Sequence, residues 1–290
     1  MRQSDRIGVR AHRTVRILTV MLTSLALPGC DALDRLLEIE TPELIPAYGL
    51  EGPESADMLL SGAIGDFEAA LGSHILQASQ LGGELHDGTS SAPRWMVPSR
   101  TVMFMDVRYN DNSFTPLSRA RWSADNILTH LEGWTDAEVP ERQRKIATAA
   151  VYAGFSLVLL GESYCTMAID LSEELQPEDV FAMAEDRFTT AIAAAQAAGS
   201  SASTWLSAAY VGRARTRLNL SNTAGASADA AMVPVGFRLD VTRSASASRR
   251  YNQIYEETRT ASVSVTEPFW NLTVDGMPDP RVPVTNMNRK

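Results

Sequence analysis

The side chains that most often carry enzyme chemistry are few and scattered in this 290-residue chain. Its histidines have no metal-ligand spacing, and no zinc, Walker or dinucleotide-binding motif is present; the histidines are His12, His74, His86 and His130. Gly154 and Gly161 each begin a Gly-x-Ser segment, but the second glycine that a nucleophile elbow requires is missing from both. The sequence therefore predicts neither an enzyme, nor a cofactor, nor a catalytic metal.

A different chemistry is predicted for the N-terminus. Five arginines precede an apolar run of eleven residues at 17–27, which ends in Leu27-Pro28-Gly29-Cys30. The run is too short for a membrane span, which needs about 20 residues, but is typical of a secretory signal. The tetrapeptide resembles the lipobox of bacterial lipoproteins. That resemblance implies a signal peptide over residues 1–29 and acylation of Cys30, and two or more acyl chains give a durable membrane anchor.

Composition narrows the possible partners. Removing residues 1–29 takes away five Arg and one Asp, which leaves 21 basic and 34 acidic residues, a net charge of −13. This acidic balance argues against nucleic acid as a partner. Cys165 is the only cysteine besides Cys30, so no intrachain disulfide framework is expected. Beside an apolar helix, Cys165 is predicted to be a small core residue.

The spacing of apolar residues predicts a mainly α domain over residues 54–235, after a lipidated tether at 30–53. Residues 236–290 are predicted to form loops and short strands, one of them at 263–265. Residues 86–113 read as a long irregular loop, and the apolar stretch 146–160 as a buried helix. Helices are predicted at 54–71, 74–84, 115–133, 135–161, from Pro177 onward, 202–220 and 224–232.

Local signals mark several helix starts. Thr115 is predicted as an N-cap with Pro116 at the first helical position, followed by an apolar stripe that includes Leu117 and Ala124. Residues 135–138 form a capping box, which predicts the start of the fourth helix. Pro177 opens the fifth helix, with two acidic residues in its first turn.

Small residues at helical spacing indicate tetratricopeptide-like antiparallel helix pairs, in which they allow two helices to approach closely. The first pair would place Gly154 against Ala184, Phe188 and Ala191, with residues 162–176 as an insertion. The second would place Gly212 against Ala224, Ala228 and Ala231.

Several segments in order resemble the SusD/RagB family of nutrient-uptake outer-membrane lipoproteins. They follow the lipobox at residues 37–42, 62–67, 120–126, 152–165, 184–192, 212–215 and 279–282. The resemblance covers nearly the whole mature chain, although family members usually continue well beyond the last segment. It implies a tetratricopeptide-like scaffold that carries ligand-binding loops. It also implies a SusC-like TonB-dependent transporter as partner and an oligosaccharide or other small nutrient as ligand.

Sugar rings stack on aromatic faces while polar neighbours bind their hydroxyls. We therefore predict ligand contacts from the loop residues Trp95 and Tyr109, with Arg108 and Asn110 beside them. Asn110-Asp111-Asn112 has some character of a calcium loop, but it lacks the glycine and terminal glutamate of an EF-hand, which favours a solvated turn.

Alternative functions follow from the same pattern. A tetratricopeptide scaffold lipoprotein that binds protein partners in the cell envelope is the second hypothesis, and a concave groove lined by helix faces would favour it. A lipid-anchored hydrolase is the third. The lipid anchor predicts the outer membrane, at the cell surface or in the periplasmic leaflet. Asp31, directly after Cys30, instead retains lipoproteins in the inner membrane of some bacteria.

Overall fold

Helices packed largely in sequence order make up most of the fold, as the periodicity predicts. The computed structural model describes residues 50–88, 110–245 and 251–284. The α-helices are α1 (Ala56–Gly82), α2 (Thr115–Gly133), α3 (Arg142–Ser163), α4 (Pro177–Ala198), α5 (Ser203–Asn219), α6 (Thr223–Ala230) and the short α7 (Gln253–Arg259). The strands are β1 (Leu85–Asp87), β2 (Val263–Val265), β3 (Thr273–Val274) and β4 (Met277–Pro278). The predicted signal peptide at 1–29 lies outside these residues, as does nearly all of the predicted tether at 30–53.

Helix α1 is one continuous helix where two were predicted. The helix predicted to end at residue 71 continues through Gly72, where a glycine costs only about 1 kcal/mol. Tertiary packing outweighs this cost, since Ser73 Oγ donates to Gln253 Oε1 at 2.8 Å. The predicted stop at the glycine pair is correct, because Gly83 adopts the left-handed φ of 78° that ends the helix.

Helix α2 buries the predicted stripe completely. Leu117, Ala120, Ala124, Ile127 and Leu131 all have no exposed surface. The N-cap prediction for Thr115 is wrong, because a π-helical turn at Asn110–Phe114 leads straight into the helix and Phe114 is itself helical. The preceding turn therefore takes over the role that a capping side chain would have.

Helix α3 begins later than predicted. Only half of the capping box forms: Thr135 N donates to Glu138 Oε2 at 2.7 Å, but Glu138 N donates to the backbone oxygen of Thr135 and not to its hydroxyl. These bonds enclose only a turn, because Pro140 has no N–H to continue a helix and Glu141 adopts a φ of 53°. By length and composition α3 could cross a membrane, but most of its apolar stretch is buried inside the protein. It is the central helix of the core, as the buried-helix prediction for 146–160 requires.

Phe188 of α4 is held between two glycines. A Cβ placed on Gly154 would lie 2.7 Å from the Phe188 ring, and one on Gly212 would lie 2.1 Å from it. Both distances are far inside van der Waals contact, so α3 and α5 each approach α4 at a position where no side chain fits. The first predicted pair, Gly154 with Phe188, is therefore confirmed.

The second predicted pair has a different register. Ala224, Ala228 and Ala231 are exposed, and Gly212 contacts the preceding helix α4 through Phe188. Helix α6 instead turns Ala226 and Asp229 inward. The alanine spacing matched the tetratricopeptide pattern only because the segment is rich in alanine. The buried carboxylate of Asp229 fixes which face of α6 points inward.

The C-terminal residues return to α1. Strand β2 pairs antiparallel with β1, which confirms the strand predicted at 263–265. Thr242 Oγ1 donates to Glu68 Oε1 at 3.0 Å, which ties the segment after α6 to the middle of α1. Strands β3 and β4 form an exposed hairpin.

Candidate functional site

The predicted ligand residues fall largely outside the described part of the chain. Cys30, Trp95, Arg108 and Tyr109 lie in its gaps. Asn110 is the first residue of the π-helical turn, but the structure does not describe its side chain. The solvated turn predicted at residues 110–112 is therefore part of a π-helical turn. The ligand roles of these residues remain predictions.

A cleft lies beside this turn, between the first half of α2 and the segment that follows α3. Its volume is about 370 Å³. Arg119, Arg121, Trp122 and Asp170 supply its main polar and aromatic groups. The other lining residues are Phe114, Thr115, Ser118, Leu160, Ala168 and Ile169.

One face of α2 forms a wall of the cleft. Thr115, Ser118, Arg119 and Trp122 lie three or four residues apart and therefore share a face, on the side opposite the buried stripe. Trp122 is 54% exposed, an unusual state for the largest apolar side chain. Phe114, which lines the cleft, packs edge to face against Tyr164 with ring centroids 5.2 Å apart.

Arg121 joins the two walls. Its Nη1 donates to Asp170 Oδ2 at 2.6 Å, and its Nη2 bonds the other Asp170 oxygen. Nη1 also reaches Asp125 Oδ2 at 3.2 Å, and Asp125 accepts from Arg187 Nε at 2.6 Å. The bonds from Arg121 lower the pKa of Asp170 below its ordinary range. Arg121 is only 5% exposed, so the pair joins Asp170 in the second wall to a buried side chain of α2.

The second wall is the connection between α3 and α4, the insertion predicted at 162–176. Buried Met167 and Ile169 anchor it, and Met167 N and O bond the backbone of Leu175. Directly after Ile169, Asp170 and Leu171 adopt left-handed φ values of 50° and 63°. Each such residue costs about 1–2 kcal/mol, so the conformation needs the Arg121 pair and the apolar anchors to persist.

A second polar cluster ties α4, α5 and α6 together. Buried Asp229 accepts from Arg213 Nη2 at 2.7 Å and from Arg217 Nη1 at 2.9 Å. Arg217 Nε also donates to Glu185 at 2.6 Å. Each of these charges has a partner, and the cluster lines no cleft described here, so we assign it a structural role.

Cys165 is exposed, so the prediction of a small core residue is wrong. The chain leaves helical geometry after Ser163, and this turns the thiol out of the bundle. Elsewhere in residues 50–88, 110–245 and 251–284, no group of three or more His, Cys, Asp or Glu side chains could hold a metal ion.

No protein-family model and no curated protein matches the chain. The cleft therefore has to be interpreted from its own geometry.

Sequence reasoning did not select Arg119, Arg121, Trp122 or Asp170 as site residues. A signal for Trp122 was available, because a tryptophan on the polar face of an amphipathic helix departs from the apolar stripe. No comparable signal existed for Asp170, which lies 49 residues from Arg121 and meets it only through the tertiary fold.

Proposed function

We propose that the chain is a lipid-anchored nutrient-binding protein that captures an oligosaccharide in the cleft beside Trp122. Bound ligand is then delivered to a TonB-dependent outer-membrane transporter. The observation that carries the binding step is an exposed tryptophan on one wall of a cleft that holds hydroxyl and charged groups as well as apolar side chains.

The physical basis is the two-sided character of sugars. A sugar ring offers C–H groups that stack on an aromatic face and hydroxyls that need hydrogen-bond partners. Trp122 provides the face, Ser118 and Arg119 lie about one turn before it on α2, and Thr115 lies about two turns before it. A volume of about 370 Å³ falls in the range of small-molecule sites.

The delivery step is supported by sequence. The lipobox at Cys30 implies a membrane anchor, and the ordered segments that resemble SusD/RagB proteins imply a transporter partner. Two of those segments, 120–126 and 152–165, contain Arg121, Trp122 and the Leu160 and Tyr164 side chains beside the cleft. The binding and delivery proposals thus concern the same part of the chain.

Calorimetric titration of the lipidated full chain, purified in detergent, tests the binding step against a panel of oligosaccharides. Trp122→Ala should weaken binding about tenfold, since a stacked aromatic contributes roughly 1 kcal/mol beyond its buried area. Trp270→Ala is the matched control, because Trp270 is similarly exposed but does not line the cleft. Failure of every saccharide to bind, or equal effects of both substitutions, would overturn the proposal.

Pull-down of the tagged lipoprotein from native outer membranes tests the delivery step. Mass spectrometry should find a stoichiometric TonB-dependent barrel with it. Recovery of envelope-assembly proteins without any barrel would overturn delivery and support the tetratricopeptide scaffold alternative.

A further inference from the structure

The charged residues of the cleft have a positive surplus, whereas the protein as a whole is acidic. The chain has 35 acidic and 26 basic residues, a net charge of −9. The charged residues that line the cleft are nevertheless Arg119, Arg121 and Asp170. A positive surplus at the candidate site of an acidic protein suggests that the site binds a negatively charged group.

The surplus comes from Arg119. Asp170 and Asp125 bind Arg121, and Asp125 also binds Arg187, so these four groups balance. Arg119 is exposed and makes no ion pair with any residue in the described ranges. The groups at the cleft and their direct partners therefore carry a net charge of +1, which a bound anion would neutralise.

Arg119 is placed to act together with Trp122. The two residues are three positions apart on one helix, so their side chains lie on the same face. A guanidinium binds a carboxylate through two parallel hydrogen bonds, and Arg121 forms such a pair with Asp170 in the same cleft. A sugar ring stacked on Trp122 could thus present a ring carboxylate to Arg119.

We propose that the cleft selects acidic saccharides, with the uronate carboxylate paired to Arg119 and the ring stacked on Trp122. This inference rests on the proposed function, because it names the class of saccharide for that same site. It assigns Arg119 as the residue that determines specificity, while Arg121 and Asp170 hold the opposite wall.

Matched saccharide pairs test this selection. The lipidated full chain is titrated with trimers of galacturonate and galactose, glucuronate and glucose, and mannuronate and mannose, each pair with the same linkage. At least one acidic trimer should bind about tenfold more tightly than its neutral partner in 20 mM salt, the effect of one charge-assisted contact. The preference should shrink in 300 mM salt because this partly exposed pair is screened.

Arg119→Gln should weaken binding of the acidic trimer about tenfold and so remove the preference, with a much smaller effect on the neutral trimer and none on the melting temperature. Arg238→Gln is the control, because Arg238 is an exposed arginine that does not line the cleft. If the neutral trimer binds as tightly as its acidic partner in every pair that binds, the acidic selection would be overturned but saccharide binding would remain. An acidic preference that survives Arg119→Gln would overturn the assignment of Arg119. Binding of no trimer, acidic or neutral, would count against both this inference and the proposed function.

Discussion

Substitution of Gly212 by alanine probes the close approach of α5 to α4 at Phe188. The new Cβ would lie 2.1 Å from Phe188 Cε1 and 2.2 Å from its Cζ, whereas unstrained carbons stay about 3.5–4.0 Å apart. Phe188 is fully buried, and Gly154 lies against the same ring, so the ring cannot move aside without striking α3. Either the two helices must separate or the ring must leave its preferred rotamer.

The expected magnitude follows from two opposing effects. Overpacking of a core costs about 1–3 kcal/mol, and an overlap of this size belongs at the upper end. Replacement of a mid-helix glycine by alanine stabilises the folded state by about 1 kcal/mol through helix propensity. The net loss in free energy of unfolding is therefore about 2 kcal/mol. At roughly 2–4 °C per kcal/mol for a chain of this size, the melting temperature should fall by about 4–8 °C.

Gly62→Ala is the matched control. Gly62 also lies inside a helix, but it is exposed and nothing lies within 4 Å of the added Cβ. This variant should gain about 0.5–1 kcal/mol. Thermal unfolding followed by circular dichroism compares the two variants with the wild type.

A double-mutant cycle with Phe188→Leu separates local overlap from a general weakening of α5. The smaller side chain leaves space for the new methyl, so Gly212→Ala should cost less in the Phe188→Leu background than in the wild type. If Gly212→Ala were as stabilising as Gly62→Ala, or cost the same in both backgrounds, the close packing of Phe188 between two glycines would be refuted.

Two further predictions concern the polar clusters. Asp229→Ala should destabilise the protein by about 3 kcal/mol in denaturant unfolding, because it leaves two partly buried arginines without their shared carboxylate. Asp240→Ala, which removes an exposed ion pair, should change stability by less than about 0.5 kcal/mol, and equal effects of the two would contradict this account. Asp170→Asn should lower stability by about 1 kcal/mol at pH 7, a modest loss because the Asp170 side chain is 57% exposed. Arg121 lowers the pKa of Asp170 below 3.8 in the folded protein. The stability that the wild type gains over Asp170→Asn is therefore complete above pH 3.8, and it should be lost as the pH falls through the folded-state pKa of Asp170. Melting temperatures of both proteins between pH 2 and 7 check this, and a difference that stays constant to the lowest pH would argue against the ion pair as its source.

The helical fold could be predicted in outline because helix periodicity is local. The stripe of α2 and the inward face of α4 each follow from apolar residues three and four positions apart, and both faces are buried. The errors fell where local signals competed with packing. The helix predicted to end at residue 71 continues to Gly82, with Ser73 bonded to Gln253, and the helix predicted to start at residues 135–138 begins only after Pro140.

The candidate site was less accessible to sequence reasoning, because it depends on side chains that are distant along the chain. The sequence by itself determined that Trp122 and Arg119 share the polar face of an amphipathic helix, since helical geometry fixes that relation. Only the tertiary structure decided what faces them. Asp170 reaches Arg121 through two left-handed residues in the α3–α4 connection, a conformation that local propensity disfavours and that long-range ionic and apolar contacts hold in place.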